Sequence, residues 1–113
     1  MDYEFLDDGI FGLRGFLSAE ECAYHIRQSE HLGYADATIE TGRGAMLRKD
    51  VRNNERILLD DQALSARFFK RVQDYLLPVL RDRSLCGFNE RWRFYRYTAG
   101  QQFDWHLDGV VRL

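Results

Sequence analysis

The sequence predicts an α+β domain, with helices packed on a mostly antiparallel sheet. Three features predict it. Ser18 and Glu21 stand at capping-box spacing ahead of a helix-length segment. Leu64, Phe68, Val72 and Leu76 repeat every four residues, which makes one apolar helical stripe. The last quarter turns aromatic and alternates with the period of a strand. At 113 residues and 45% hydrophobic content, the chain has room for one domain and enough apolar surface for a core.

Phe5 to Leu17 is apolar and broken by Gly9, Gly12 and Gly15, which reads as one or two short strands with turns. Ser18 then opens a helix that runs to about His31, with Gly33 as its terminator and Leu17 and Cys22 placed to form a hydrophobic staple. Ala37 to Glu40 reads as a strand, Gly42 to Gly44 as a turn, and the charge-rich Leu47 to Arg56 as a loop. Asp60 or Asp61 caps the second helix, which Pro78 disrupts near its end. A loop at Ser84 to Asn89 precedes a strand at Arg91 to Tyr97 and a turn at Thr98 to Gln101. Phe103 to Asp108 is expected to be a second strand, with Phe103, Trp105 and Leu107 on one side and Asp104, His106 and Asp108 on the other. Trp105 is expected in the core.

The formal charge of −2, from 16 basic and 18 acidic residues, gives no footprint for nucleic acid or an anionic membrane surface. The acidic N-terminus (Asp2, Glu4, Asp7, Asp8) is unlike a secretory signal, and no apolar run has membrane-spanning length. Cys22 and Cys86 lie far apart and are expected as reduced, buried thiols of a cytoplasmic protein.

His106 and Asp108 carry the chemical argument. Residues i and i+2 of a strand project to the same side, so an imidazole and a carboxylate can converge on one ion. Two histidines and one carboxylate on one face, with the remaining positions open, is the arrangement of non-haem iron(II) oxygenases. The dipeptide spacing alone is weak evidence. The plain alternative is a strand histidine bonded to Asp108 or Asp104.

The surroundings sharpen the reading. Arg93 to Gly109 reads RFYRYTAGQQFDWHLDG. Its order of Arg96-Tyr97, Gly100-Gln101, Phe103 and His106-x-Asp108 resembles the prolyl 4-hydroxylase-like branch of the iron(II)/2-oxoglutarate-dependent dioxygenases. FLSAEEC at the first helix and VRNNERILLDD before the second are similar to the same family more loosely. The resemblance implies a double-stranded β-helix, or jelly roll, buttressed by helices. The region 1–90 would be the helical support, and 91–113 the first core strands of a single incomplete domain. It implies Fe(II) as metal, 2-oxoglutarate as co-substrate and ascorbate as reductant. The implied reaction couples decarboxylation of 2-oxoglutarate to succinate with hydroxylation of a C–H bond in a small-molecule or peptide substrate.

Matched residue by residue, His106 and Asp108 are the first two iron ligands. Tyr97 lies at a position beside the co-substrate, where a phenol can bond a carboxylate oxygen; a core tyrosine with a satisfied hydroxyl is the competing reading. Gln101 and Phe103 shape the pocket mouth or simply serve turn and core. The family also needs a distal histidine and a distal Arg or Lys that clamps 2-oxoglutarate. The other histidines, His25 and His31, differ by six positions, about 240° around a helix, and read as exposed. Arg43, Arg48, Arg52 and Arg56 read as a solvated loop balanced by Asp50 and Glu55, and none is assigned as the clamp.

The expectation is therefore a dioxygenase chain cut off after its first two ligands, inactive alone, with sheet edges that promote self-association. The alternative is a non-catalytic short paralogue acting as a binding or dimerisation module. A hydrolase with another metal is a third reading, disfavoured because such sites cluster more His and Asp ligands than this one pair.

Overall fold

The computed structural model describes residues 1–108. The expected core-strand region 91–113 thus lies partly outside the described residues. The chain opens on an antiparallel hairpin, β1 (Asp2–Asp7) and β2 (Ile10–Arg14), with Gly9 at φ 72° in its turn. Helix α1 (Ala19–Leu32) comes next. Its capping box is formed in full: the Ser18 hydroxyl accepts from Glu21 N–H and the Glu21 carboxylate accepts from Ser18 N–H, both at 3.1 Å. Gly33, at φ 90°, ends the helix and donates its N–H to the Ser29 carbonyl.

Short strands β3 (Ala35–Asp36), β4 (Ile39–Thr41) and β5 (Gly44–Met46) precede β6 (Glu55–Asp60). Helix α2 (Gln62–Val72) is capped by Asp61, whose carboxylate accepts from Leu64 N–H at 2.9 Å, and continues as a 3₁₀ turn over Gln73–Tyr75. A small hairpin, β7 (Val79–Leu80) and β8 (Arg83–Ser84), and strand β9 (Arg91–Arg96) complete the order.

The largest sheet is three-stranded and antiparallel, in the order β3-β6-β9. Its register pairs Ile57 with Phe94, Leu59 with Trp92 and Glu55 with Arg96, which gives the sheet two distinct faces. One face meets the helices. Phe68 of α2 lies edge-on to Phe16, His25 and Trp92, and the Trp92 indole donates to Ser65 at 2.8 Å. Leu64, Val72 and Ile57 are buried beside this cluster, with Phe68 and Leu76 half-buried along the expected stripe. The opposite face carries Arg56, Leu58 and Asp60 of β6 across from Tyr95, Arg93 and Arg91 of β9. It is open: Leu58 and Tyr95 are each more than two-fifths exposed.

The fold is α+β with antiparallel sheets, as predicted, and among the described residues no sheet closes into a barrel. Several expectations need correction. The N-terminal hairpin falls where short strands were expected, but it begins earlier, at Asp2. The stretch expected as a loop runs into β6, the central strand. Phe103 to Asp108 is not a strand: only Phe103 bridges, to Arg52, and the pairing stops there. Asp104 N–H still reaches the Val51 carbonyl at 2.9 Å, but beyond it no strand among the described residues supplies a ladder. Trp105, expected in the core, is fully exposed, as is Leu107. The two cysteines are unbridged as expected, but exposed rather than buried. His25 is half-buried against Phe68, whereas His31 is exposed. No described helix is long and apolar enough to cross a membrane.

Candidate metal centre

Strand β9 delivers the chain to a turn at Thr98–Gln101. Gln101 N–H donates to the Thr98 carbonyl at 3.0 Å, and the Gln101 side chain accepts from Thr98 N–H at 2.9 Å. Gly100, at φ 83°, takes the left-handed position. Gln101 therefore serves the turn. The returning segment is tied to the 51–54 loop by Asn53, whose carboxamide oxygen accepts from Gln102 N–H at 2.7 Å. This places Phe103 beside Arg52.

Arg52 anchors the returning segment. It is 4% exposed, although it lies in the charge-rich stretch expected as a solvated loop. Its guanidinium carbon sits 4.4 Å from the Tyr95 ring centre and 4.1 Å from the Phe103 ring centre. A planar, weakly hydrated guanidinium is suited to such a place between aromatic faces. Nε donates to the Asn54 carboxamide oxygen at 2.9 Å and Nη1 reaches the Thr38 carbonyl at 3.4 Å. The His106 imidazole then stacks on Phe103, with centroids 3.8 Å apart and planes 9° from parallel. Tyr95, Arg52, Phe103 and His106 thus form a continuous series of contacts from the sheet to the candidate ligand.

His106 Nδ1 lies 2.7 Å from the Asp104 carbonyl oxygen. A carbonyl can only accept, so Nδ1 carries the proton and, in the neutral ring, Nε2 presents its lone pair. That lone pair faces Asp108: Nε2 and Oδ1 are 3.4 Å apart, beyond a good N–H···O bond. With metal–ligand bonds of about 2.1 Å, this separation subtends about 110° at an ion between them. A backbone carbonyl that fixes the tautomer and leaves the other nitrogen for the ion is the usual outer support of a metal-binding histidine. His106 and Asp108 therefore converge although their segment is not a strand. The donor pair fits a borderline divalent metal. Among the described residues no group of three or more His, Cys, Asp or Glu side chains gathers there, so the pair supplies two ligands and no more.

Tyr97 follows the last residue of β9. It is 47% exposed, and its hydroxyl has no hydrogen bond among the described residues, unlike a satisfied core tyrosine. It is not part of the cavity that holds His106 and Asp108. That cavity, about 390 Å³, is lined instead by Arg52, Arg56, Arg91, Arg93 and Tyr95 together with the two ligands. Arg91 pairs with Asp60 at 2.9 Å, which holds the Asp60 carboxyl below its ordinary range, mainly through the side-chain hydrogen bond. Arg48 pairs with Asp50 at the surface, as the loop reading expected.

Arg52 and Arg93 are the site residues that sequence reasoning missed. No local signal separates Arg52 from Arg48, since both sit among charges. Arg93 had a signal, because strand alternation already puts it on the same face as Tyr95. No family, curated protein or solved structure matches the chain.

Proposed function

We propose that this chain carries part of the metal centre of a non-haem Fe(II)/2-oxoglutarate-dependent dioxygenase of the prolyl 4-hydroxylase-like type. His106 and Asp108 would be two of its three iron ligands, and the full catalytic domain a jelly roll. The observation that supports this most is the paired geometry of His106, with Nδ1 held by Asp104 and Nε2 facing Asp108. The bound iron would supply the oxygen chemistry, with 2-oxoglutarate as co-substrate and ascorbate as reductant. The chain's own residues position the imidazole, keep its Nε2 lone pair free and shape the cavity wall. With no third ligand identified, the isolated chain is inactive in this reading.

The test separates a dioxygenase centre from any other divalent metal site. Binding of Mn(II), a redox-silent stand-in, is measured with and without 2-oxoglutarate. Because the co-substrate chelates the same ion, each must tighten the other by the same factor. Mutual tightening of Mn(II) and 2-oxoglutarate supports the reading. Mn(II) binding indifferent to 2-oxoglutarate contradicts the dioxygenase assignment.

A second reading, a binding or dimerisation module, is favoured by the free lateral edge of β9 among the described residues and by exposed Tyr3, Phe5 and Leu77. Size-exclusion chromatography across protein concentrations tests it; a concentration-independent monomer contradicts it.

A further inference from the structure

The cavity beside His106 and Asp108 has an unusual lining for a pocket next to a candidate metal centre. Four arginines reach it: Arg52 from the loop before β6, Arg56 from β6, and Arg91 and Arg93 from β9. Arg91 is compensated by Asp60. Arg56 donates to the Thr38 hydroxyl at 2.7 Å. Arg93 has no carboxylate partner among the described residues, nor does Arg52. Arg52 is moreover buried, and its Nη2 has no hydrogen-bond acceptor among the described residues.

A buried guanidinium nitrogen without an acceptor is costly, and its persistence in a cavity wall calls for an explanation. Burying positive charge beside a metal site makes the cost greater still, because a divalent ion adds charge of the same sign. An anion in the cavity offsets the excess positive charge, and Arg93, exposed on its wall, is placed to meet it. Guanidinium forks match carboxylate and phosphate oxygens in plane and spacing, and a concave wall with four arginines against the one carboxylate of Asp108 favours such a ligand.

The geometry points to an anion subsite in this cavity, formed chiefly by Arg93 and Arg52, that binds a carboxylate or phosphate group of the primary substrate and so presents an acidic substrate to the His106–Asp108 centre. This deepens the proposed function and rests on it for the word substrate; the anion site itself stands on the arginines alone. The subsite is distinct from Tyr97, which lies outside the cavity lining.

The experiment titrates the metal-free 113-residue chain, in chelator and at low ionic strength, with glutarate in one arm and inorganic phosphate in the other, read by calorimetry. Saturable binding is expected in at least one arm. Glutarate alone assigns a carboxylate group, phosphate alone a phosphoryl group, and both together a site for either anion. Arg93→Gln, at an exposed position that leaves the core intact, is expected to weaken binding about tenfold, the loss of one charge-assisted contact. Arg52→Lys keeps the charge but not the fork, and is expected to weaken it as well. Arg14→Gln, on the distant β2 strand, is expected to change nothing. Absence of saturable binding in both arms overturns the proposal, as does binding that Arg93→Gln leaves intact or that Arg14→Gln weakens equally. Because no metal is present, failure of the His106–Asp108 centre to bind Mn(II) is a separate result and leaves this one readable.

Discussion

The Phe103 ring lies parallel to the His106 imidazole, with 3.8 Å between their centroids. Phe103 is also the one residue of its segment that bridges to another part of the chain, at Arg52. The orientation of the candidate ligand is thus set by an aromatic side chain anchored on a buried arginine, not by a strand. Phe103→Ala should leave the fold intact but release the imidazole, weakening Mn(II) binding about tenfold, in the range typical of lost support for a ligand. Unchanged Mn(II) affinity, measured beside an unchanged circular dichroism spectrum, would show that the stack has no role in the centre.

Much of this arrangement was legible in the sequence, and the limits have physical causes. The capping box at Ser18 and Glu21, the Asp61 cap, the α2 stripe and strand β9 depend on neighbours within a few positions, so local pattern reveals them. Strand β6 was hidden because only Ile57, Leu58 and Leu59 are apolar, and its flanking Glu55, Arg56 and Asp60 find their partners across the sheet. The alternation at Phe103 to Asp108 misled for the converse reason. Alternation permits a strand, but a strand exists only where another supplies hydrogen bonds, and here only the bridge at Phe103 is made. The burial of Arg52 is a purely tertiary fact, created by two aromatic rings from distant parts of the chain.

Arg52 should also matter for stability. Arg52→Ala removes a hydrogen bond to Asn54 and the filling between Tyr95 and Phe103. A loss of about 3 kcal/mol in urea-induced unfolding is expected, as for other buried polar groups whose partners are left unpaired. Arg52→Lys should recover little of it, since an ammonium cannot stack in plane or reach both acceptors. Full recovery by lysine would mean that charge alone holds the segment.

The β7–β8 turn stores backbone strain. Arg81 and Asp82 have φ of 51° and 63°, the left-handed region that disfavours side chains with a Cβ. Such a pair of values is what a two-residue hairpin with a primed turn requires, and glycine or asparagine is the usual occupant. Asp82→Gly should therefore stabilise the chain, by about 1 kcal/mol in chemical denaturation. A destabilised variant would indicate that the Asp82 side chain has a compensating role.

Acid should loosen the packing of α1 on α2. The Glu21 carboxyl is held below its ordinary value of 4.5, first by the Ser18 backbone N–H and next by Arg71, whose guanidinium lies 2.9 Å away. A depressed carboxyl contributes stability in full above its unfolded value and loses it as pH falls through the lower folded value. The melting temperature should thus fall below about pH 4.5, and Glu21→Gln should flatten part of that fall while lowering the midpoint at neutral pH. An acid response identical in the two proteins would remove Glu21 as a contributor.

The metal centre is tested most directly by anaerobic titration of the chain with Mn(II), read by electron paramagnetic resonance, for the parent protein, His106→Ala and Asp108→Ala. Two protein ligands leave most coordination positions to water, so the parent should bind one ion weakly, and each substitution should diminish that binding. Binding of equal strength by all three proteins would contradict the assignment of His106 and Asp108 as a metal centre.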